Sequence, residues 1–451
     1  MAAIGLLDIP PEVQLQIAGF VETRQTLKAL SVTSRSLRSI AQSILFTTLQ
    51  IDLGKELRGS VDDLLANPRI CAAIRFLSLR GRFFGSAPPP NDEEQLSLIQ
   101  KLLPEMVGLG KVSIYHVNLS KTFLDAFLGI AANMPLQIDL GWNIYPYSVF
   151  PTPHTPLQIS HLHCSINHRQ LEFNRSMFHA SATTLTGLNI QVNGGGLMEL
   201  ADINLPFLHD FTLSDTIKDE MSGPSAGAFL TEQRAIRRLD LGGKLGPLPP
   251  IPPNALLNLR ELNASPELVN QLVPGRPVEA IEVTFPPQGC FFPRCDEDWF
   301  GEEVGESTAR VRRLRVHLNI AILDTRMVKR MVTLLPFLEN LWLPVFGDVS
   351  WPFCSITRTW WLILLQVFLN VIEVLTSLRC LKDLGFHLFC REVWVDPNIN
   401  DIATKLRKAN SSFSSLEIRG GGGSGCAISL WSEVFGVLLH PAPPDCRVRP
   451  N

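Results

Sequence analysis

A short phrase of alternating apolar and polar residues recurs along the chain from Ile70 onward. In each copy, two or three apolar positions alternate within about seven residues, often after a Leu-x-x-Leu step. IRFLSL from Ile74 and VRRLRVHL from Val311 are examples. Alternation with a period of two predicts a β-strand with one buried face. The other copies are KVSIYHV from Lys111, LQISHLH from Leu157, LTGLNIQV from Leu185, LHDFTL from Leu208, IRRLDLGG from Ile236, LRELNAS from Leu259, VEAIEVTF from Val278, LENLWLP from Leu338, LKDLGFHL from Leu381 and FSSLEIRG from Phe413.

Helical segments separate several of these phrases. NDEEQLSLIQKLLPEM at 91–106 and LDTRMVKRMVTLLP at 323–336 have apolar residues at helical spacing. Most successive copies lie roughly 20–36 residues apart, around the spacing of leucine-rich repeats. A strand, a turn, a helix and a return form a right-handed parallel unit, and stacked units build a horseshoe. The copies lack a regular Asn ladder, so we predict an irregular, leucine-rich-repeat-like α/β solenoid with parallel strands over residues 61–445.

The N-terminal segment follows a helical pattern instead. Pro10 and Pro11 can pre-set the first turn of a helix, where the helix dipole favours the anionic Glu12. Thr23 and Ser34 are candidate N-caps of a second and a third helix. Three helices in about forty residues bury little of their surface, so this unit needs neighbours.

The apolar residues of this segment resemble those of an F-box. The family pattern of an apolar residue, Pro, any residue, Glu and an aliphatic is met by Ile9, Pro10, Pro11, Glu12 and Val13. We therefore predict an F-box domain over residues 5–50. The resemblance implies that the adaptor-binding residues are Ile9, Pro10, Glu12, Val13, Ile17, Phe20, Leu27, Leu30 and Leu37. Leu37 stands where many F-boxes carry Trp, and this difference removes a large contact.

A second resemblance lies in the repeats, where Leu256–Pro277 is similar to fungal F-box proteins with leucine-rich-repeat-like domains. The two resemblances imply a substrate-recognition adaptor of an SCF-type, cullin–RING E3 ubiquitin ligase. Its F-box would bind the Skp-type adaptor, and its repeats would bind a target protein of unknown identity through unknown residues. Such a receptor is not an enzyme and needs no cofactor. The alternative is a repeat-domain protein-binding scaffold that acts outside any ubiquitin ligase, with the N-terminal helices as its cap.

Composition narrows the range of possible binding partners and cellular compartments. Charged residues make up 18% of the chain and the formal net charge is −3, so no basic excess exists to attract nucleic acid. The nine cysteines include no Cys-x-x-Cys pair, which predicts reduced thiols. Met1–Gly19 lacks the pattern of a secretory signal. We expect an intracellular protein, cytoplasmic, nuclear or both, whose sequons at Asn118, Asn174, Asn263 and Asn410 are chance matches.

Histidines and cysteines raise the question of a metal site. One stretch contains His154, His161, His163, Cys164, His168 and His179. His161 and His163 would share one face of a strand, but no second pair follows at ligand spacing, so we predict surface histidines. Cys290 and Cys295 also lack a partner pair, and we expect no metal. Gly194–Gly196 and Gly420–Gly423 lack the flanking residues of a phosphate-binding loop.

Two further segments allow more than one functional interpretation. Gly223–Gly227 matches G-x-S-x-G, the nucleophile elbow of hydrolases, and makes Ser225 a candidate nucleophile. The preceding residues are too polar for the buried strand that this elbow needs, so we predict a loop. Thr359–Ile372 has no formal charge but is shorter than a membrane span, which favours a buried or interface helix over a membrane anchor. Three explanations of this uncharged run stay open: an insertion, a repeat whose strand pattern is hidden, and a gene-model error.

Overall fold

The computed structural model divides the chain into two compact units, Met1–Leu208 and His209–Asn451, which we call unit 1 and unit 2. The division falls within the predicted solenoid, and the N-terminal helices belong to unit 1. The residues that the structure describes are 9–21, 23–53, 55, 57–81, 92–141, 155–166, 171–192, 203–215, 222–242, 248–284, 301–316, 318–319, 325–346, 370–388, 399–420, 427–431 and 438–439.

Strands and helices alternate along unit 1. Its strands are β1 (Thr48–Asp52), β2 (Phe76–Arg80), β3 (Lys111–Tyr115), β4 (Leu136–Leu140), β5 (Ile159–Ile166) and β6 (Gly187–Val192). Its helices are α1 (Pro11–Gly19), α2 (Arg24–Thr33), α3 (Arg35–Leu45), α4 (Arg58–Leu65), α5 (Pro68–Ala73), α6 (Asp92–Leu102), α7 (Lys121–Ala131) and α8 (Leu171–Ser181).

Unit 2 continues the alternation. Its strands are β7 (Asp210–Asp215), β8 (Arg238–Asp240), β9 (Glu261–Ala264), β10 (Ala280–Val283), β11 (Arg313–Val316), β12 (Leu318–Asn319), β13 (Asn340–Phe346), β14 (Asp383–Leu388), β15 (Ser415–Gly420), β16 (Ala427–Trp431) and β17 (Leu438–Leu439). Its helices are α9 (Ser222–Glu232), α10 (Pro266–Leu272), α11 (Thr325–Leu334), α12, described over 370–375, and α13 (Ile399–Ala409).

Parallel pairing joins the strands within each unit. In unit 1, β1 to β6 pair in sequence order. In unit 2, β7 to β15 do the same, and β11 and the short β12 both pair with β13. The predicted class, an α/β solenoid-like fold with parallel strands, is thereby confirmed. The last two strands differ from the prediction, because β16 and β17 are antiparallel.

The register aligns one apolar side chain from each strand into a buried row. In unit 1 the row is Leu77, Val112, Ile138, Leu162 and Leu188. In unit 2 it is Leu239, Leu262, Ile281, Leu314, Leu341 and Leu384. All of them are at most 2% exposed. Full burial of such a side chain contributes about 1.5–3 kcal/mol, so this row holds neighbouring repeats together.

The recurring phrase predicts the strands correctly in all twelve copies, and the segments 91–106 and 323–336 contain α6 and α11 as expected. β1, β4, β16 and β17 have no counterpart among the twelve phrases. The LQIDL of β4 alternates in the same way as the phrases do. β1 begins inside the predicted F-box range, ends at Asp52 and pairs with β2.

The three predicted N-terminal helices are present as α1, α2 and α3. Pro11 stands in the first turn of α1. Thr23 Oγ1 accepts the backbone N–H of Thr26 at 3.2 Å, and Ser34 Oγ accepts that of Leu37 at 3.1 Å. Both predicted N-caps are therefore confirmed. α3 also packs against α5, which connects the three helices to the repeats of unit 1.

The uncharged run Thr359–Ile372 lies mostly outside the described residues. Its last three positions, 370–372, fall in α12, where Val371 and Ile372 are buried. Across the described part of the chain, no helix combines the length and the apolar character needed to cross a membrane.

A buried guanidinium holds the loops around α10. Arg276 is 1% exposed, and its side chain donates only to backbone carbonyls among the described residues. The acceptors are the carbonyls of Ala255 (3.0 Å), Pro252 (3.0 Å), Leu272 (3.1 Å), Pro274 (3.3 Å), Ile251 (3.4 Å) and Gln271 (3.5 Å). Burial lowers the pKa of Arg276, while the carbonyl end of α10 favours a cation there. The segment Leu256–Pro277 thus encodes β9, α10 and the arginine that connects the end of α10 to the loop before β9.

Replacing Arg276 by Met should lower the free energy of unfolding by about 3 kcal/mol, because several buried carbonyls would lose their donors. Arg276→Lys should also be destabilising, since an ammonium group lacks the planar fork of donors. Arg260→Met is the matched control, because the Arg260 guanidinium is exposed beside Glu279 and should matter by less than about 1 kcal/mol. Urea unfolding measures all three variants. An unchanged midpoint for Arg276→Met would contradict this role.

Candidate functional site

Helix α1 buries a polar side chain and leaves apolar ones exposed. Gln14 and Ala18 are 3% and 4% exposed. Val13 and Ile17 are 40% and 42% exposed, and Phe20 is 84% exposed. Val13, Ile17 and Phe20 recur at helical spacing, so they lie on one side of the helix, and we call them the α1 patch. A cluster of exposed apolar side chains is typical of a surface that another molecule covers.

Hydrogen bonds explain why Gln14 faces inward. Its Nε2 donates to the carbonyl of Ile9 at 2.7 Å. Its Oε1 accepts from the hydroxyl of Ser36, in α3, at 3.3 Å. These contacts use both ends of the carboxamide. Turning α1 to bury the α1 patch would break them, so the hydrogen bonds of Gln14 help to keep the apolar side outward.

The other predicted adaptor-binding residues divide by burial. Those that are exposed or half-buried are Ile9, Pro10, Glu12 and Leu30. Leu27 and Leu37 are 5% and 7% exposed, in a unit where α1 and α2 pack on α3. Their burial places Leu27 and Leu37 in the supporting core of the three helices, and not on the outward surface that the resemblance implies.

The outward side of the unit 2 sheet is polar. On β8 to β13 its side chains include Arg238, Asp240, Glu261, Asn263, Ala280, Glu282, Arg313, Arg315, Asn340 and Trp342. We call this set the unit 2 sheet face. It lines an open cleft of about 450 Å³, which the buried row underlies. The sequence did not identify these positions, although their alternation with the buried row would have located them once the register was known.

Ion pairs arrange the charges of the unit 2 sheet face. Glu261 lies between two guanidinium groups, 2.5 Å from Arg313 and 3.9 Å from Arg238. Arg315 lies 3.5 Å from Glu282. Exposed pairs of this kind contribute about 0–1 kcal/mol each to stability. Their main effect is therefore to position the guanidinium groups above the sheet.

Asp240 and Asn263 form a hydrogen-bonded end of this face. Asp240 Oδ1 accepts from Asn263 Nδ2 and from the backbone N–H of Gly242, both at 3.0 Å. Asn263 Oδ1 accepts from the hydroxyl of Thr284 at 2.8 Å. Burial raises the pKa of Asp240 in spite of these hydrogen bonds.

Tyr115, Asp139 and His163 meet on the outward side of the unit 1 sheet. The Tyr115 hydroxyl donates to Asp139 Oδ2. His163 Nδ1 lies 2.8 Å from Asp139 Oδ1. The ring of Tyr115 occupies the space that a Cβ at Gly141 would take, so the glycine allows the ring to cross β4. The result is a carboxylate with a phenol hydroxyl at one oxygen and an imidazole nitrogen near the other.

The surroundings of Asp139 and Tyr115 determine their protonation states. Burial alone would raise the pKa of Asp139, but His163 and Tyr115 hold it below the ordinary value. Burial and the contact with Asp139 raise the pKa of Tyr115 to about 12. At neutral pH the carboxylate is therefore ionised and the phenol protonated. Such a carboxylate fixes the orientation of the imidazole that it contacts.

The structure places the described members of the histidine and cysteine stretch in different environments. His161 is exposed and its ring lies against Gly187 of β6, whereas His163 pairs with Asp139. Cys164 is fully buried. Among the described residues, no group of three His, Cys, Asp or Glu is arranged to hold a metal ion. The candidates that lie outside the described residues are His154, His168, Cys290, Cys295, Gly194–Gly196 and residues 421–423.

Ser225 lies in helix α9, and the predicted loop is wrong. α9 begins at Ser222, so the described motif is helical, whereas a nucleophile elbow places its serine in a turn between strand and helix. Ala226 is buried, and Pro249 occupies the space that a Cβ at Gly227 would take. The small residues of the motif thus serve the packing of α9.

Several candidate modification sites are buried. Asn174 is 1% exposed and Asn410 is 5% exposed, so neither sequon is accessible in the folded chain. The Asn410 amide also donates to the carbonyl of Leu381 at 2.6 Å. Cys71 and Cys164 are buried, and burial raises the pKa of both thiols. A raised pKa makes a thiol a poor nucleophile.

No protein-family model matches the chain, and no curated protein is significantly similar to it.

Asp139→Asn should lower the free energy of unfolding by about 2 kcal/mol at pH 7, because two donors lose a charged acceptor. The pKa of Asp139 is held low, so its contribution is present above about pH 4 and is lost as the pH falls through the folded pKa. The difference from the native chain should therefore shrink in acid. Asp125→Asn, which removes only an exposed pair with Lys121, is the control. A difference that stayed constant down to pH 2 would rule out this linkage.

Ser225 should not react with a fluorophosphonate, because a helical serine lacks the strained turn that activates a nucleophile. Ser225→Ala should leave stability and labelling unchanged. Intact-mass spectrometry after incubation with the reagent measures the outcome. Stoichiometric labelling that disappears in Ser225→Ala would restore the hydrolase hypothesis.

Proposed function

We propose that this chain is a non-enzymatic substrate-recognition adaptor of an SCF-type, cullin–RING E3 ubiquitin ligase. Helices α1 to α3 act as the F-box and bind a Skp-type adaptor, and the repeats bind the target protein. The observation that supports this proposal most is the α1 patch. A helix with an F-box-like sequence keeps its apolar side outward, although Gln14 occupies the inward side.

Covering the α1 patch would provide a substantial part of a binding energy. Burial of one large apolar side chain contributes about 1.5–3 kcal/mol, and a well-packed anchor often accounts for about 2 kcal/mol of affinity. Pro10 and Glu12 are exposed at the start of the same helix and extend the surface. The contact surface then has an apolar centre and a polar edge, as protein interfaces do.

The scaffold alternative treats the three helices as a cap of the solenoid. A cap is expected to turn its apolar residues toward the first repeat. The contact with the repeats runs through α3 and α5, while Val13, Ile17 and Phe20 remain exposed. This arrangement favours the adaptor hypothesis, and direct adaptor binding separates the two.

The proposed receptor does no chemistry of its own. It holds the target close to the ubiquitin-conjugating enzyme and so raises the effective concentration of the reacting groups. The helical setting of Ser225 supports this non-enzymatic role. We place the protein inside the cell, in the cytoplasm, the nucleus or both, where buried thiols such as Cys71 and Cys164 stay reduced.

The double variant Val13→Ala/Ile17→Ala should bind a purified Skp-type adaptor at least about thirtyfold more weakly than the native chain. Both side chains are about 40% exposed, so the fold should survive their truncation. Isothermal titration calorimetry measures the affinity, and circular dichroism verifies the fold.

The matched control is Val107→Ala/Leu257→Ala, which shortens two apolar side chains that are 69% and 54% exposed elsewhere. This control should bind the adaptor like the native chain. Full adaptor binding by the α1 double variant, or none by the native chain at micromolar concentration, would favour the scaffold alternative.

A further inference from the structure

The charged groups of the unit 2 sheet face differ in exposure. In each ion pair on this face, the guanidinium is more exposed than its carboxylate. The exposed fractions are 64% and 41% for Arg238 and Glu261, 56% and 41% for Arg313 and Glu261, and 48% and 33% for Arg315 and Glu282. The guanidinium groups of these pairs are therefore more accessible to a ligand than the carboxylates beside them.

A second set of ion pairs lies at the start of the strands. Arg260 is 62% exposed beside Glu279, which is 37% exposed. Glu339 is 25% exposed beside Arg312 and Lys382, which are 56% and 50% exposed. In these pairs too the cation is more exposed than the carboxylate, although both signs occur in nearly equal numbers.

The guanidinium groups retain capacity for a ligand. Each arginine carries five N–H donors in a planar fork, and one carboxylate uses at most two of them. Of the pairs on the face, Arg313 with Glu261 is within hydrogen-bond distance, while Arg238 and Arg315 stand 3.9 Å and 3.5 Å from their carboxylates. The pairs hold the side chains in place, so less conformational entropy is lost when a ligand binds.

The cleft also offers small and apolar surface. Ala280 lies between Glu261 and Arg313 in the register, so a small side chain interrupts the row of long polar side chains at β10. Trp342 lines the cleft, and its ring lies over Gly385 of β14. From β8 to β13 the face spans about 19 Å, which about six residues of extended chain would cross.

We propose that the unit 2 sheet face binds an extended acidic polypeptide segment of about six residues, in which aspartate or glutamate alternates with apolar residues. The carboxylates of the segment contact Arg238, Arg313 and Arg315. The alternate apolar side chains rest on Ala280 and Trp342. This inference rests on the proposed function, in which the segment belongs to the target protein.

Charge favours a polypeptide over nucleic acid as the occupant. Glu261 and Glu282 lie between the cations on neighbouring strands and would repel a dense row of phosphates. The chain has no basic excess, with a formal net charge of −3. A segment with spaced single charges matches three separated guanidinium groups better than a polyanion does.

The test measures fluorescence anisotropy of a labelled peptide of about eight residues that alternates Glu and Leu, with the full chain. The Glu peptide should bind at least about tenfold more tightly than its Gln counterpart, and the binding should weaken with added salt. Arg313→Gln/Arg315→Gln should weaken it by about tenfold or more. Lys329→Gln/Lys405→Gln changes the net charge equally on α11 and α13, outside the cleft, and should stay within about twofold.

Equal binding of the Glu and Gln peptides, or equal losses in both double variants, would overturn the proposal. A phosphoserine counterpart that binds more than about tenfold tighter than the Glu peptide would also overturn it, in favour of a phosphate site. Adaptor binding is measured on the same samples. Arg313→Gln/Arg315→Gln should keep it, so a failure of the peptide site and a failure of the F-box proposal give different results.

Discussion

Parallel strands paired in register constrain the rest of this structure. Side chains alternate along a strand, so one aligned aliphatic row forces the residues on either side of it outward. In β10, a slip by one residue would bury Glu282 and expose Ile281. The free-energy cost of burying an unpaired carboxylate far exceeds the cost of losing the apolar contacts of one strand with its neighbours. The buried row therefore decides the position of the ion pairs on the outer face as firmly as it decides the core.

The outer faces depend on small residues as much as on charged ones. Gly141 lets the Tyr115 ring cross to Asp139, and Ala280 leaves a depression between Glu261 and Arg313. Charged side chains near these positions are only partly buried, so a ligand can contact them while the chain stays folded. Arg276 shows the opposite case, because complete burial makes its donors available only to the protein's own carbonyls. Exposure separates an arginine that supports the fold from one that can recognise a ligand.

The N-terminal helices illustrate how far local signals reach. Thr23 and Ser34 identify the starts of two helices because a hydroxyl can satisfy a backbone N–H three residues later. The spacing of Val13 and Ile17 identifies a common side of α1, but spacing cannot say whether that side is covered. The hydrogen bonds of Gln14 with Ile9 and Ser36 decide it, and Ser36 lies twenty-two positions away. The same limit explains why Leu27 and Leu37 belong to the core although the family pattern groups them with the surface.

The sequence by itself determined the strand phrases, the helices between them, the N-caps and hence the α/β repeat class, because each depends on residues close together in the chain. It did not determine the first strand, β1, whose short TLQID becomes recognisable only through its pairing with β2. It did not reveal the meeting of Tyr115, Asp139 and His163, nor the ion pairs of Glu261 with Arg238 and Arg313. These residues come from different strands, and only the inter-strand register brings them within a few ångströms. Local periodicity thus determined the elements, whereas long-range pairing decided which side chains share a surface.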